Sequence, residues 1–297
     1  MKIKTSELTQ ERQWRATVGI NKERFFILLD YFKKAYFKTY QEELYKRKVE
    51  VNIDYCIKSE EDLLLFTLLS LKSGLTYDVL GVVCGMSASN AKRNQTIGLD
   101  ILSKTLTHLG VMPKRNLLTV KDFKDFIKTE KDLIIDVTEQ RIQRPSDPER
   151  QQETYSGKKA NTLKTLLIST KDKVIQYLSF CGFGSQHDFS LLKEKFPPEL
   201  PWFKNFNIKV DLGFLGMDKT YQCKYISIPY KKSKHYPLTN QQKLVNKKLV
   251  SERVLIEHSI SGLKRFRILS DRLRLHRIDL YDKILGICAA LWNFYLA

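Results

Sequence analysis

Three acidic residues could carry chemistry in this sequence: Asp136 in IIDVTE, Asp211 in IKVDLGF and Glu257 in IEHSISGLKRFR, spaced 75 and then 46 residues apart. The two aspartates follow apolar runs suited to strands, so each carboxylate would emerge beside the core instead of at a loop tip. Glu257 sits next to the apolar stripe of a long helix. If the strands are neighbours and the helix packs across them, the three carboxylates converge. Converging like charges raise one another's pKa unless a cation intervenes. Oxygen-only ligands suit Mg²⁺ or Mn²⁺, which keep several waters and also bind phosphates. Two such ions about 4 Å apart can activate a water or a 3′-hydroxyl and stabilise the leaving oxygen of an in-line phosphoryl displacement.

Each acid also has a plain structural reading. Arg253 and Glu257 are four residues apart on a helix, an ordinary ion pair worth roughly 0.2–0.5 kcal/mol. Asp211 precedes Gly213 and suits a turn, and Asp136 suits a solvated strand end. The charge around them favours an anionic partner. Lys+Arg 51 against Asp+Glu 33 leaves the chain at +18. Fourteen lysines and arginines between Lys224 and Arg277 face three acids, Glu252, Glu257 and Asp271. A nucleic acid is the expected partner for such a chain, with affinity that falls steeply in salt.

Other classes are disfavoured. The longest apolar run, Ile284 to Trp292, is broken by Asn293 well short of a bilayer span, and MKIKTSELTQERQW has no apolar signal core. The expectation is a cytoplasmic, nucleoid-associated protein without a membrane partner. Five cysteines are scattered, odd in number and without a CxxC pair, which argues against a disulfide framework and a structural zinc site.

The elements that would position the acids fall into two groups. In the front part, Phe25, Leu29, Phe32 and Tyr36 recur at helical spacing. Farther on, a helix from about Ser59 ends near Gly74. A short helix capped by Thr76 runs to about Cys84, Gly85 and Met86 turn, and Ser87 caps a polar helix with Lys92, Arg93 and Asn94. This is the pattern of a helix-turn-helix entering a major groove; a helical hairpin with a packing role reads the same way. After the polar stretch Pro113–Asn116 the rhythm changes. DLIIDVTEQRIQ reads as a central strand, TLKTLLIST and KVIQYLSFCG as a hairpin, HDFSLLKEKF as a short helix, NIKVDLGFLG as a strand and CKYISIPY as an edge strand. A long helix from about Thr239 to Phe266 and an apolar final helix complete an α/β or α+β layer arrangement.

The blocks DVTEQRIQRP, YSGKKANTLK, VDLGFLG, IPYKKSK, LTNQQKLVNKKLVSERVLIEHSISGLKRFRIL and CAALWNF, taken in order, resemble those of bacterial insertion-sequence DDE transposases, in the branch related to the Harbinger nucleases. The resemblance covers residues 131–297 and implies an α/β fold with a ribonuclease H-like catalytic core, a mixed sheet flanked by helices. An all-helical N-terminal domain over 1–115, with its helix-turn-helix at about 59–100, would precede it. Asp136, Asp211 and Glu257 match the catalytic, metal-binding acids, with Glu252 as rival for the third place. Two Mg²⁺ or Mn²⁺ ions are implied as cofactors. The implied DNA contacts are Lys92, Arg93, Asn94, Tyr155, Lys158, Lys159, Lys164, Lys231, Lys232 and Lys264. His187 and Asp188 would support the metal ligands from behind, or simply cap a helix. Asn161 stands where the family often has histidine.

On this reading the activity is binding of terminal inverted repeats, metal-dependent hydrolysis to give 3′-hydroxyl ends, and strand transfer into target DNA by a homodimer or larger assembly. A non-mobile endonuclease of the same fold, or a helix-turn-helix regulator without catalysis, are the alternatives.

Overall fold

The computed structural model describes residues 1–49, 56–127, 130–233, 237–273 and 277–297. Lys234 and Arg274 of the basic run lie outside the described residues.

The front part is helical: α1 (Glu11–Thr17), α2 (Lys22–Tyr40), α3 (Leu44–Val49), α4 (Glu60–Ser73), α5 (Tyr77–Cys84) and α6 (Ala88–His108). Asn21, Ser59, Thr76 and Ser87 each accept a bond from a first-turn backbone N–H and so start α2, α4, α5 and α6. Gly85, at φ +79°, ends α5 in the left-handed region and turns the chain into α6. α4 is buried from Leu63 through Leu71, which is why its sequence lacks a polar face.

One six-stranded mixed sheet follows. Its strands are β1 (Asp132–Arg141), β2 (Thr162–Thr170), β3 (Ile175–Leu178), β4 (Gly182–Phe183), β5 (Asn207–Lys209) and β6 (Tyr225–Ser227), ordered β3-β2-β1-β5-β6 with β4 also on β2. β1 is central, antiparallel to β2 and parallel to β5, and β6 lies parallel at the edge. The helices between and after the strands are α7 (Val120–Phe126), α8 (Pro148–Thr154), α9 (Asp188–Lys195), α10 (Met217–Thr220), α11 (Asn240–Lys264), α12 (Arg267–Ser270) and α13 (Ile278–Leu296).

Each face of the sheet has its own core. On one, Leu133, Ile135, Leu166 and Ile168 pack on Phe123, Phe196, Trp202 and Phe203. On the other, Leu163, Leu167 and Leu178 join Leu263, Phe266 and the buried run of α13, and that cluster continues without a break into α2, α4 and α6. Gly262 permits the close approach of α11 and α13: a Cβ there would stand 2.3 Å from the Trp292 ring. The first half of α11 is different. Its buried residues are Ile256, Ser259, Gly262 and Leu263, so residues 240–252 stand clear of the core.

The stretch Pro113–Asn116, read as a separator, is bonded to the sheet. The Lys114 N–H donates to the Gln176 carbonyl at 2.9 Å, and Leu178 N–H donates to the Lys114 carbonyl at 2.9 Å.

Candidate active site

Strand register brings the two aspartates together. In the parallel β1–β5 pair, Ile134 stands opposite Lys209. Side chains alternate faces along a strand, so Asp136 and Asp211, each two residues further on, emerge side by side on the same face. The neighbours obey the alternation. Ile135 and Val210 point into the aromatic core, while Lys209 reaches the α11 side and pairs with Glu252 at 2.8 Å. Each aspartate is fixed by a backbone donor to its Oδ1: Val137 N–H at 2.8 Å for Asp136, and Gly213 N–H at 2.8 Å for Asp211.

α11 crosses this face and supplies a cation. Arg253 Nη2 lies 3.5 Å from Asp136 Oδ2 and 3.9 Å from Asp211 Oδ2, with its side chain 15% exposed. Its Nε is buried and has no hydrogen-bond partner. Burial pushes the Asp136 carboxyl up to about 6; the Val137 N–H and Arg253 pull against this, and the charges of Asp211 and Asp188 add to it. Asp188, the first residue of α9, faces the pair across Gly213. A Cβ on Gly213 would meet Asp211 Oδ1 at 2.9 Å and Asp188 Oδ2 at 3.0 Å, so two carboxylate oxygens flank one bare glycine.

These features suit a divalent cation. The donors are hard oxygens, their charges already share one cation, and the buried carboxylate is destabilised where it stands. Among the described residues, no three acidic, histidine or cysteine side chains form a cluster able to hold a metal ion. Glu257 is exposed one helical turn beyond Arg253, on the same side of α11. Its rival Glu252 is occupied by Lys209.

The remaining sequence-predicted residues divide by burial. Lys158 is exposed and paired with Glu139 at 3.2 Å, Lys159 is exposed in the left-handed region at φ +57°, and Tyr155 is 47% exposed. Lys164 is buried at 8% exposure, its ammonium donating to the Gln186 carbonyl at 2.7 Å and to Asp188 at 2.9 Å. Lys264 donates to the Glu139 carbonyl at 2.8 Å, and burial lowers its pKa. Lys231, Lys232, Lys92 and Arg93 are exposed, whereas Asn94 is half-buried with its amide against the Met86 sulfur. His187 occupies the position before α9 without a side-chain cap bond. The Asn161 amide donates to the Gln151 carbonyl at 3.0 Å and Thr154 Oγ1 at 2.9 Å, tying α8 to the start of β2.

Sequence reasoning missed what Arg253 does. The plain reading of the sequence pairs it with Glu257 along the helix, and no such pair occurs within 4 Å among the described residues. The available signal was its place one turn before the acid, on the helix face that covers β1 and β5.

Residues 135–293 match the DDE superfamily endonuclease family. The whole chain is 28% identical to the "Probable transposase for insertion sequence element IS702" of Microchaete diplosiphon, covering 99% of that protein. No solved structure matches.

Proposed function

The chain belongs to the DDE superfamily endonucleases, a transposase-type nuclease acting on DNA, and from that premise we propose that it is the transposase of an insertion sequence. It binds terminal inverted repeats, hydrolyses a phosphodiester to free a 3′-hydroxyl, and joins that end to target DNA as a homodimer or larger assembly. The observation that carries this reading is the β1–β5 register, which sets Asp136 beside Asp211 under α11. The strand order β3-β2-β1-β5-β6, three antiparallel strands followed by two parallel ones, is consistent with a ribonuclease H-like core.

Asp136, Asp211 and Glu257 would hold two divalent ions, Mg²⁺ or Mn²⁺. When bound, these would supply activation of the attacking water or 3′-hydroxyl and stabilisation of the leaving oxygen. The protein's own residues orient and screen. Val137 and Gly213 N–H groups fix which carboxylate oxygen is free. Lys158 and Lys159, exposed on the loop before β2, meet backbone phosphates, and the exposed Tyr155, Lys231 and Lys232 add further phosphate contacts. Lys264, beside Glu139, adds positive charge on the α11 side. A phosphate role for Lys164 requires it to exchange Asp188 for the DNA. In the front part, α5, the Gly85 turn and α6 act as a helix-turn-helix, placing Lys92, Arg93 and Asn94 in a major groove.

The test is a terminal-repeat oligonucleotide assay in Mg²⁺, scored for cut and joined products, with gel-shift binding in parallel. Asp136→Asn, Asp211→Asn and Glu257→Gln are each expected to lower cleavage by roughly a thousandfold or more while repeat binding persists. Full activity of the Glu257→Gln protein would remove Glu257 from the set. Cleavage without joined products would reduce the function to that of an endonuclease.

A further inference from the structure

Arg253 meets its two acids through charge and not through close hydrogen bonds. Its contacts with Asp136 and Asp211, 3.5 and 3.9 Å, are longer than the 2.7–2.9 Å of a charge-assisted hydrogen bond, and its Nε is buried without a partner. Both aspartates spend Oδ1 on a backbone N–H, leaving the two Oδ2 atoms turned towards the guanidinium. A single positive charge thus stands between two negative ones, at the point both carboxylates face.

We propose that Arg253 is a placeholder cation: it neutralises the Asp136–Asp211 pair in the metal-free protein and gives way as a divalent ion enters. The inference rests on reading those aspartates as metal ligands. Two physical arguments support the exchange. Mg²⁺ draws its oxygens to about 2.0–2.1 Å, which closes the gap that now admits a guanidinium. A guanidinium left within a few ångströms of a divalent ion is also strongly repelled. Metal entry and arginine exit are therefore one step, and by reciprocity the placeholder lowers metal affinity as much as metal lowers the placeholder's occupancy. The free protein is buffered against loading and against repulsion between empty carboxylates at once.

The experiment measures Mn²⁺ binding to the full chain without DNA, by the electron paramagnetic resonance of the free ion. Arg253→Met and Arg253→Gln are expected to bind Mn²⁺ roughly tenfold more tightly than the unaltered protein. Affinity that stays the same or falls in both variants overturns the proposal. A second measurement needs no variant. Phenylglyoxal modification of the peptide carrying Arg253, followed by mass spectrometry, should speed up on adding Mg²⁺; an unchanged or slower rate overturns the proposal even if a variant fails to fold. Mn²⁺ affinity unaffected by Asp136→Asn and Asp211→Asn would instead refute the metal reading beneath it.

Discussion

Asn293 interrupts the apolar run of the last helix, and in the sequence it counts only as a polar break. In the structure it is buried, with its Oδ1 accepting from Ile175 N–H at 2.9 Å and its amide donating to the carbonyls of Val111 at 3.0 Å and Ile175 at 2.9 Å. One side chain joins α13, β3 and the segment after α6. Asn293→Ala would strand three backbone groups away from water, and denaturant unfolding should show a loss of at least about 2 kcal/mol. The candidate site residues were legible in a similar, partial way. Asp136 and Asp211 could be picked out because a charge directly after an apolar strand run is unusual, and their neighbourhood follows from strand register. The partner of Arg253 was not legible. A local i,i+4 rule competes there with a long-range demand, and two adjacent carboxylates, one of them largely buried, are the stronger attraction. Lys164 was equally opaque. Its neighbours read as a lysine-rich DNA-contacting block, but β2 is buried along its full length, so the ammonium turns to Asp188 and a carbonyl.

Elements marked by clear caps, turn residues or periodicity are where sequence and structure agree most closely. The hairpin of β2 and β3, the helix α9 before Pro197, the edge position of β6 and the capped helices α4, α5 and α6 follow from turn residues, caps and periodicity. Several short elements could not be read, β4 and α8 among them. β4 has only two residues, too few for alternation to register, and α8 lies in a polar stretch that depends on the Asp147 cap and Asn161 for its place. The packing of α11 on α13 was hidden as well, because a glycine in a helix announces a close neighbour without naming it. Gly262→Ala would force a methyl group into the Trp292 ring, which also donates its indole N–H to the Lys173 carbonyl at 2.9 Å. The expected cost is about 1–3 kcal/mol, visible as a lower melting temperature.

At the scale of the molecule, the expected division near residues 115–131 does not coincide with a gap in the core. The cluster on the α11 side of the sheet runs from Leu163 and Leu178 through α13 into α2, α4 and α6. A fragment spanning 131–297 would expose that face of α13, so it should fail to give a cooperative thermal transition by circular dichroism, whereas the full chain gives one. The net charge of +18 sets the other whole-molecule expectation. DNA affinity should fall linearly on a log–log plot against salt, and replacing Lys92 or Arg93 with alanine should reduce the slope by about one for each lost phosphate contact. Among the described residues no helix is long and apolar enough to cross a membrane.

The bare first half of α11 has a consequence for how the molecule breathes. Residues 240–252 are fastened by the Thr239 cap, the Asn246 bonds to Tyr230 and the Lys209–Glu252 pair, and none of their side chains is buried. Amide protons there should exchange with deuterated solvent orders of magnitude faster than those around Ile256 and Leu263. They should slow once polyanionic backbone is laid along Lys243, Lys247 and Lys248. The same helix thus joins a rigid half that aims Arg253 and Glu257 to a pliant half whose ordering would report that substrate has arrived.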